Sequence, residues 1–185
     1  MLASGVAGFF LYYPLGNQAK NYKAAAVYTA RAQLAEFTTN GVRVAVGLDS
    51  DSQGRLLLRA TFTPVEHGFH IYSKDLDLKK TDGIGLPTSF DLMPHASLRV
   101  AGRVFSNVSP VSLEVKILNV TLPVYPDGPV VLRLPVEVDR ADEDIAAQVT
   151  VTYMACKTDG ECLFPVKKRI VDVKIPRSQL TAKEI

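Results

Sequence analysis

From Val42 onward the chain alternates apolar and polar positions with a period of two. In VRVAVGL, residues Val42, Val44, Val46 and Leu48 share one face of a strand. DSDSQG then reads as a turn, and in RLLLRATF the residues Leu56, Leu58, Ala60 and Phe62 alternate the same way. Further short segments of this kind lie at 68–72, 88–92, 97–104, 111–118, 130–138, 148–155 and 166–175, separated by Gly, Pro, Asn and Asp clusters. The stretch RADEDIAAQ, 140–148, reads as a solvated loop or a single helical turn. Short strands punctuated by turns predict an all-β sandwich over about 40–176. Eleven prolines suit a fold with many strand ends and edges.

Ahead of Val42 the pattern differs. NQAKNYKAAAVYTARAQLAEF, 17–37, is rich in Ala, Gln, Lys and Glu and lacks glycine and proline, a composition that favours helix. Val27, Leu34 and Phe37, with Tyr28 beside them, fall near one helical stripe before Asn40-Gly41 breaks it. The expectation is an N-terminal helical linker over 17–39, the sandwich, and a polar tail over 177–185. The first 19 residues carry no charge, but the apolar part, Leu2 to Leu15, is short of the roughly 20 residues of a membrane span. It also lacks the basic start of a secretion signal. Residues 1–16 therefore read as the remnant of an atypical signal or membrane anchor, with a helix buried against the domain as the alternative. Either export reading places the rest outside the cytoplasm, where disulfides persist.

Composition narrows the classes. Apolar residues make up 47% and charged residues 22% of the chain, enough for a packed core and against wholesale disorder. The net charge of +2 comes from scattered lysines and arginines, and no basic stripe marks a nucleic-acid surface. DSDSQG begins like a calcium loop, but Ala60 stands where its bidentate acid belongs. DGIGLP lacks the Lys-Ser/Thr of a phosphate loop.

The candidate chemistry lies in TYMACKTDGECLFPVKK, 152–168, which holds the only two cysteines, Cys156 and Cys162. They can be a structural staple, part of a metal site, or a redox couple. Asp159-Gly160 between them is a tight-turn signal, so the flanking strands form a hairpin with the cysteines at its mouth. Directly opposed Cα atoms in such a pair lie roughly 4.5–5.5 Å apart, within reach of a disulfide. Loop-closure entropy makes a seven-residue ring worth roughly 2.4 kcal/mol, against about 4.7 kcal/mol for a hundred-residue ring. As a staple the pair accomplishes little. A zinc site needs about four ligands. His67 and His70, three apart on a strand, point to opposite faces, so these histidines and His95 read as ordinary half-exposed residues. Redox exchange needs an attacking thiolate and a second thiol nearby, which two cysteines around a turn supply. Lys157 against Asp159 and Glu161 does not favour a thiolate, so the expected thiol has an ordinary pKa and reacts when a partner docks.

Val151, Thr152, Tyr153, Cys156, Cys162, Phe164 and Pro165 resemble the signature of the N-terminal, extracytoplasmic domain of the thiol:disulfide interchange protein DsbD family. GFHIYSKDL, 68–76, is similar to that family's aromatic strand, and TDGIGLPTSFDL resembles the segment after it. The resemblance covers about 40–176 and implies an immunoglobulin-like fold. It implies a domain that takes electrons from a thioredoxin-like donor, ultimately through a membrane-embedded module, and passes them to oxidised extracytoplasmic proteins. No cofactor is implied. Carried over, Cys162 forms the mixed disulfides and Cys156 resolves them, while Gly160 lets the turn adjust and Pro165 keeps the edge free. Tyr72, Tyr153, Phe164 and Pro165 become neighbours of the sulfurs; Phe105, in GRVFSNVS, becomes the shielding cap residue. Tyr153 has odd parity with Cys156 and needs a bulge to face it. The family's membrane module and thioredoxin-like domain have no counterpart in the 185 residues, so the chain is part of a longer protein or relies on separate partners. The rival reading is a non-catalytic immunoglobulin-like binding module whose disulfide stiffens a recognition hairpin.

Overall fold

Period-two alternation becomes two facing layers. The computed structural model describes residues 27–139, 142–158, 160–180 and 182–183. Its strands are β1 (Val27–Tyr28), β2 (Arg31–Thr39), β3 (Val42–Ser50), β4 (Leu56–Pro64), β5 (Phe69–Ile71), β6 (Ser89–Leu92), β7 (Leu98–Val100) and β8 (Phe105–Ser106). They continue with β9 (Val111–Val115), β10 (Val120–Val124), β11 (Val130–Val138), β12 (Ile145–Tyr153), β13 (Ala155–Lys157), β14 (Val166–Ile175) and β15 (Ala182–Lys183). A six-stranded sheet runs β2-β3-β4-β11-β7, with β8 also on β11. A three-stranded sheet, β14-β12-β6, supplies the other layer, and every pairing is antiparallel. The result is an all-β, immunoglobulin-like sandwich.

The expected inward faces are the observed ones. Val42, Val44, Val46 and Leu48 of β3 and Leu56, Leu58, Ala60 and Phe62 of β4 are all buried. Val130, Leu132, Leu134 and Val136 of β11 extend that floor, and Ile145, Ala147, Val149, Val151 and Tyr153 of β12 close over it. Each such large aliphatic side chain contributes roughly 1.5–3 kcal/mol by leaving water. Tyr153 meets Phe62 edge to face at 5.7 Å, and its hydroxyl donates to the Thr39 carbonyl at 3.0 Å.

Three expectations are corrected. Residues 31–39 are not a helical linker but a strand, β2, paired with β3 through the Asn40-Gly41 turn. A bulge between Gln33 and Ala35 adds a residue to the pairing, so Leu34 and Phe37 stand three apart although both pack on the core. That interrupted alternation reads as helical spacing in sequence. The rest of the linker, and the signal or anchor of 1–16, lie outside the described residues. The described part of the segment read as a polar tail packs on the domain: Leu180 is buried, β15 pairs with β1, and Gln179 accepts a hydrogen bond from the Arg31 amide at 2.8 Å. Finally, β12 begins at Ile145, inside the stretch read as loop.

Tyr153→Phe keeps the ring and removes the donor to Thr39, and should cost about 1 kcal/mol in urea denaturation. Burial pushes the Tyr153 phenol from 10.0 up to about 12. A raised folded-state pKa gives stability that is complete below pH 10 and is lost as pH rises toward 12. The variant's decline in stability across that window should be shallower than the parent's.

Candidate functional site

β12 pairs with β6 as far as Thr152 and with β14 as far as Tyr153, and two residues later, at Ala155, the chain takes a new partner. Ala155, Cys156 and Lys157 of β13 pair with Ile71, His70 and Phe69 of β5. Alternation carries through the change. Tyr153 and Ala155 enter the main core, whereas Met154 and Cys156 join a second cluster built on Tyr72, Leu76, Leu122 and Val124. Across its other edge Cys156 bridges to Cys162, so His70, Cys156 and Cys162 form one cross-strand row.

The turn between the cysteines is short and internally bonded. The Lys157 amide donates to the Glu161 carbonyl at 2.7 Å, and the Gly160 amide donates to the Lys157 carbonyl at 3.1 Å. Gly160 has φ +99°, a conformation glycine adopts without steric cost. Lys157 Nζ lies 2.6 Å from a Glu161 carboxylate oxygen and 4.9 Å from the Phe69 ring centre. Cys156 and Cys162 are joined as a disulfide, with Cα atoms 4.0 Å apart.

The two sulfurs differ sharply in environment. Cys156 is 2% exposed, and the Tyr72 hydroxyl donates to its Sγ at 3.2 Å. Burial raises the Tyr72 pKa, so this group stays a phenol, and a donor, at neutral pH. Tyr72 is held by a bridge to Val124, and its carbonyl accepts from the Thr88 hydroxyl at 2.6 Å. Cys162 is exposed. Beside it Phe164 is 85% exposed and Pro165 is exposed, while Leu163 turns inward. The segment is nonetheless anchored: Asn40 Nδ2 donates to the Phe164 carbonyl at 2.8 Å. Leu163 lies on Gly41, where a Cβ would approach its Cδ1 to 2.2 Å. An anchored backbone thus presents one sulfur and one bare phenyl ring to solvent.

The structure brings together Cys156, Cys162 and Tyr72, with Phe164 and Pro165 exposed two and three residues along the chain from Cys162. It places Tyr153 and Phe105 elsewhere. Tyr153 does not face Cys156: alternation along β12 turns it onto Phe62, and the register shift against β14 between Val151 and Tyr153 does not bring the two to one face. Phe105 pairs with Arg133 on the main sheet and lines a groove with Arg31, Asp49 and Arg59, so it is not the cap. The β9–β10 hairpin covers Cys156 instead, through Leu122, Val124 and the half-buried Leu113, Val115 and Val120. The sequence signal for its second strand is the alternation of Val120, Leu122 and Val124.

His70 is likewise a correction. It is 6% exposed rather than half-exposed, and its ring meets that of Tyr72 edge to face at 5.9 Å. His67 is exposed, 3.8 Å from an Asp127 carboxylate oxygen, and His95 Nδ1 accepts from the Ser97 amide at 3.1 Å. Among the described residues no three His, Cys, Asp or Glu side chains are grouped to hold a metal ion. Among them, too, no helix is long and apolar enough to cross a membrane.

Fold and site together define an immunoglobulin-like sandwich with a half-exposed disulfide at the end of one strand. The chain is similar in structure to the N-terminal periplasmic domain of ScsB from Proteus mirabilis, with a TM-score of 0.52 and 13% identity, over 83% of this chain and 54% of that one. It spans, then, about half the length of that protein chain. The reduced N-terminal domain of DsbD from Neisseria meningitidis aligns with a TM-score of 0.40 and 15% identity, over 80% of this chain and 85% of that one. No family model matches the sequence, and no curated protein does. The likeness to ScsB establishes the fold.

Two substitutions test the site. Cys156→Ala with Cys162→Ala should lower stability by no more than about 2.4 kcal/mol in urea denaturation, because the ring it opens is small. In a Cys162→Ser background, Tyr72→Phe should raise the apparent pKa of Cys156 in pH-dependent alkylation, since a hydrogen bond to the thiolate is lost.

Proposed function

We propose that the chain is an extracytoplasmic thiol-disulfide exchange domain, a protein-disulfide reductase that relays electrons from a thioredoxin-fold donor to oxidised protein partners. The observation that carries this reading is the inequality of the two sulfurs: Cys162 exposed beside a bare Phe164, Cys156 buried under a hydroxyl donor. A thiolate of the donor attacks Cys162 Sγ, the bond to Cys156 breaks, and Cys156 leaves as a thiolate that Tyr72 stabilises. The donor's second thiol then attacks the donor's own sulfur in the mixed disulfide, closing the donor disulfide and releasing Cys162. Two electrons have entered the domain. In the second half the Cys162 thiolate attacks a partner's disulfide, and Cys156 resolves the product.

Phe164 and Pro165 supply an apolar rim for the docking partner. Exposed large apolar side chains beside a reactive group are suited to contact. An extracytoplasmic location agrees with a closed disulfide and with the periplasmic setting of the ScsB domain. A membrane-embedded module is the proposed ultimate electron source.

Cys156→Ser should accumulate a covalent complex with a thioredoxin-fold partner through Cys162, visible on non-reducing gels, while Cys162→Ser should not. The wild-type pair should equilibrate with glutathione at a reduction potential above about −300 mV. Absence of trapping together with a pair inert to glutathione would replace this reading with the binding module.

A further inference from the structure

The exchange cycle asks Cys156 to become a thiolate in a place that disfavours charge. It is 2% exposed, against Tyr72, Leu76, Leu122 and Val124. Desolvation keeps a buried thiol protonated, yet only the thiolate attacks. In the reducing half, where Cys156 leaves, the Tyr72 donor suffices. In the resolving half Cys156 starts as a thiol and must lose a proton. Tyr72 cannot take it, being a phenol held protonated by burial. The site therefore needs an acceptor inside the second cluster.

His70, paired with Cys156 and in ring contact with Tyr72, is the candidate. It is the direct ladder partner of Cys156 between β5 and β13, a relation that sets the two Cα atoms roughly 4.5–5.5 Å apart with side chains on one face. It is 6% exposed, and its Nε2 is buried without a hydrogen-bond partner. Leaving an imidazole nitrogen buried and unpaired is destabilising, and such groups in folded proteins need a reason. With the disulfide closed Cys156 has no proton to share; opening the bond creates an S–H donor on the direct ladder partner of His70.

The charged groups around His70 are compatible with an acceptor. Asp127, in the segment between β10 and β11, favours the imidazolium, and burial opposes it more strongly, so the pKa falls below the ordinary 6.5 and the ring is neutral near pH 7. His67 lies 3.8 Å from that same Asp127. On the β13 side Lys157 and Glu161 face each other at 2.6 Å, and Tyr72 on β5 carries no charge at this pH.

Resting on the exchange reading above, we propose that His70 is the base that takes the Cys156 proton when the mixed disulfide at Cys162 is resolved. The imidazole accepts the proton from the Cys156 S–H, and the resulting thiolate attacks Cys162 Sγ. The Cys156–Cys162 bond forms, the bond from Cys162 to the partner sulfur breaks, and the partner leaves as a thiolate with the electron pair. The partner is reduced by two electrons, the domain is oxidised by two, and the imidazolium proton passes to solvent.

The test uses the reduced full chain and a chromogenic aromatic disulfide. The first equivalent of released chromophore reports attack by Cys162, and the second reports resolution by Cys156. In the wild type the second phase should show an inflection below pH 6.5. His70→Phe should slow that phase at pH 7 by at least about tenfold, general-base catalysis commonly giving more, and should erase the inflection. The first phase serves as the internal reference. His70→Gln, which keeps polarity without a titrating base, should show the same loss and covers the case in which the phenyl replacement does not fold. A second phase with wild-type rate and pH profile in either folded variant overturns the proposal. Because the small disulfide needs no protein partner, failure of partner trapping by Cys156→Ser would sink the exchange reading while leaving this measurement interpretable.

Discussion

The exchange of strand partners at Met154 is the constraint from which the rest of the site follows. Up to Tyr153 the chain is a central strand between β14 and β6, with inward side chains buried in the sandwich. Beyond it the same pleat continues against β5, so one alternating run serves two interiors. Tyr153 and Ala155 belong to the large core, Met154 and Cys156 to the small one. Since pleat parity cannot change without a bulge, Cys156 is committed to the face carrying His70 and Tyr72.

Stability and reactivity are thereby assigned to different parts of the molecule. The sandwich is held by the facing β3, β4, β11 and β12 side chains, none of which depends on the sulfurs. The disulfide closes a ring too small to add much to that core. Opening it leaves both flanking segments tethered, β13 by its ladder to β5 and the Leu163–Phe164 segment by Asn40 and Gly41. Gly160 in the connecting turn has a positive φ, which glycine adopts without steric cost. A bond that can break without unfolding its surroundings suits exchange.

Polar chemistry beside Cys156 is sparse, and each group differs in kind. Tyr72 provides a donor already placed on the sulfur. His70 provides an unpaired nitrogen across the ladder, in a low-dielectric setting where either interaction counts for more than in water. The β9–β10 hairpin supplies apolar cover for Cys156 and Tyr72. Outside this shelter Cys162 and Phe164 meet solvent directly, so access and protection are divided between the two ends of one bond.

Much of this was legible in the residues alone. Period-two alternation in β3, β4, β11 and β14 identified a sandwich, and the Asp-Gly turn put the cysteines at one hairpin mouth, because strand parity and turn chemistry are local properties. Strand 31–39 was not legible: its bulge breaks the alternation, and pairing with β3 overrides an alanine-rich helical composition. The positions of Tyr153 and Phe105 were not legible for a related reason, since proximity in sequence or analogy does not say which face a pleated residue takes. The burial of His70 and the hairpin over Cys156 depend on which distant strands become neighbours of β5. The sequence alone determined the layers and the sulfur pair; only tertiary pairing decided what surrounds the buried sulfur, because cross-strand register joins residues far apart along the chain.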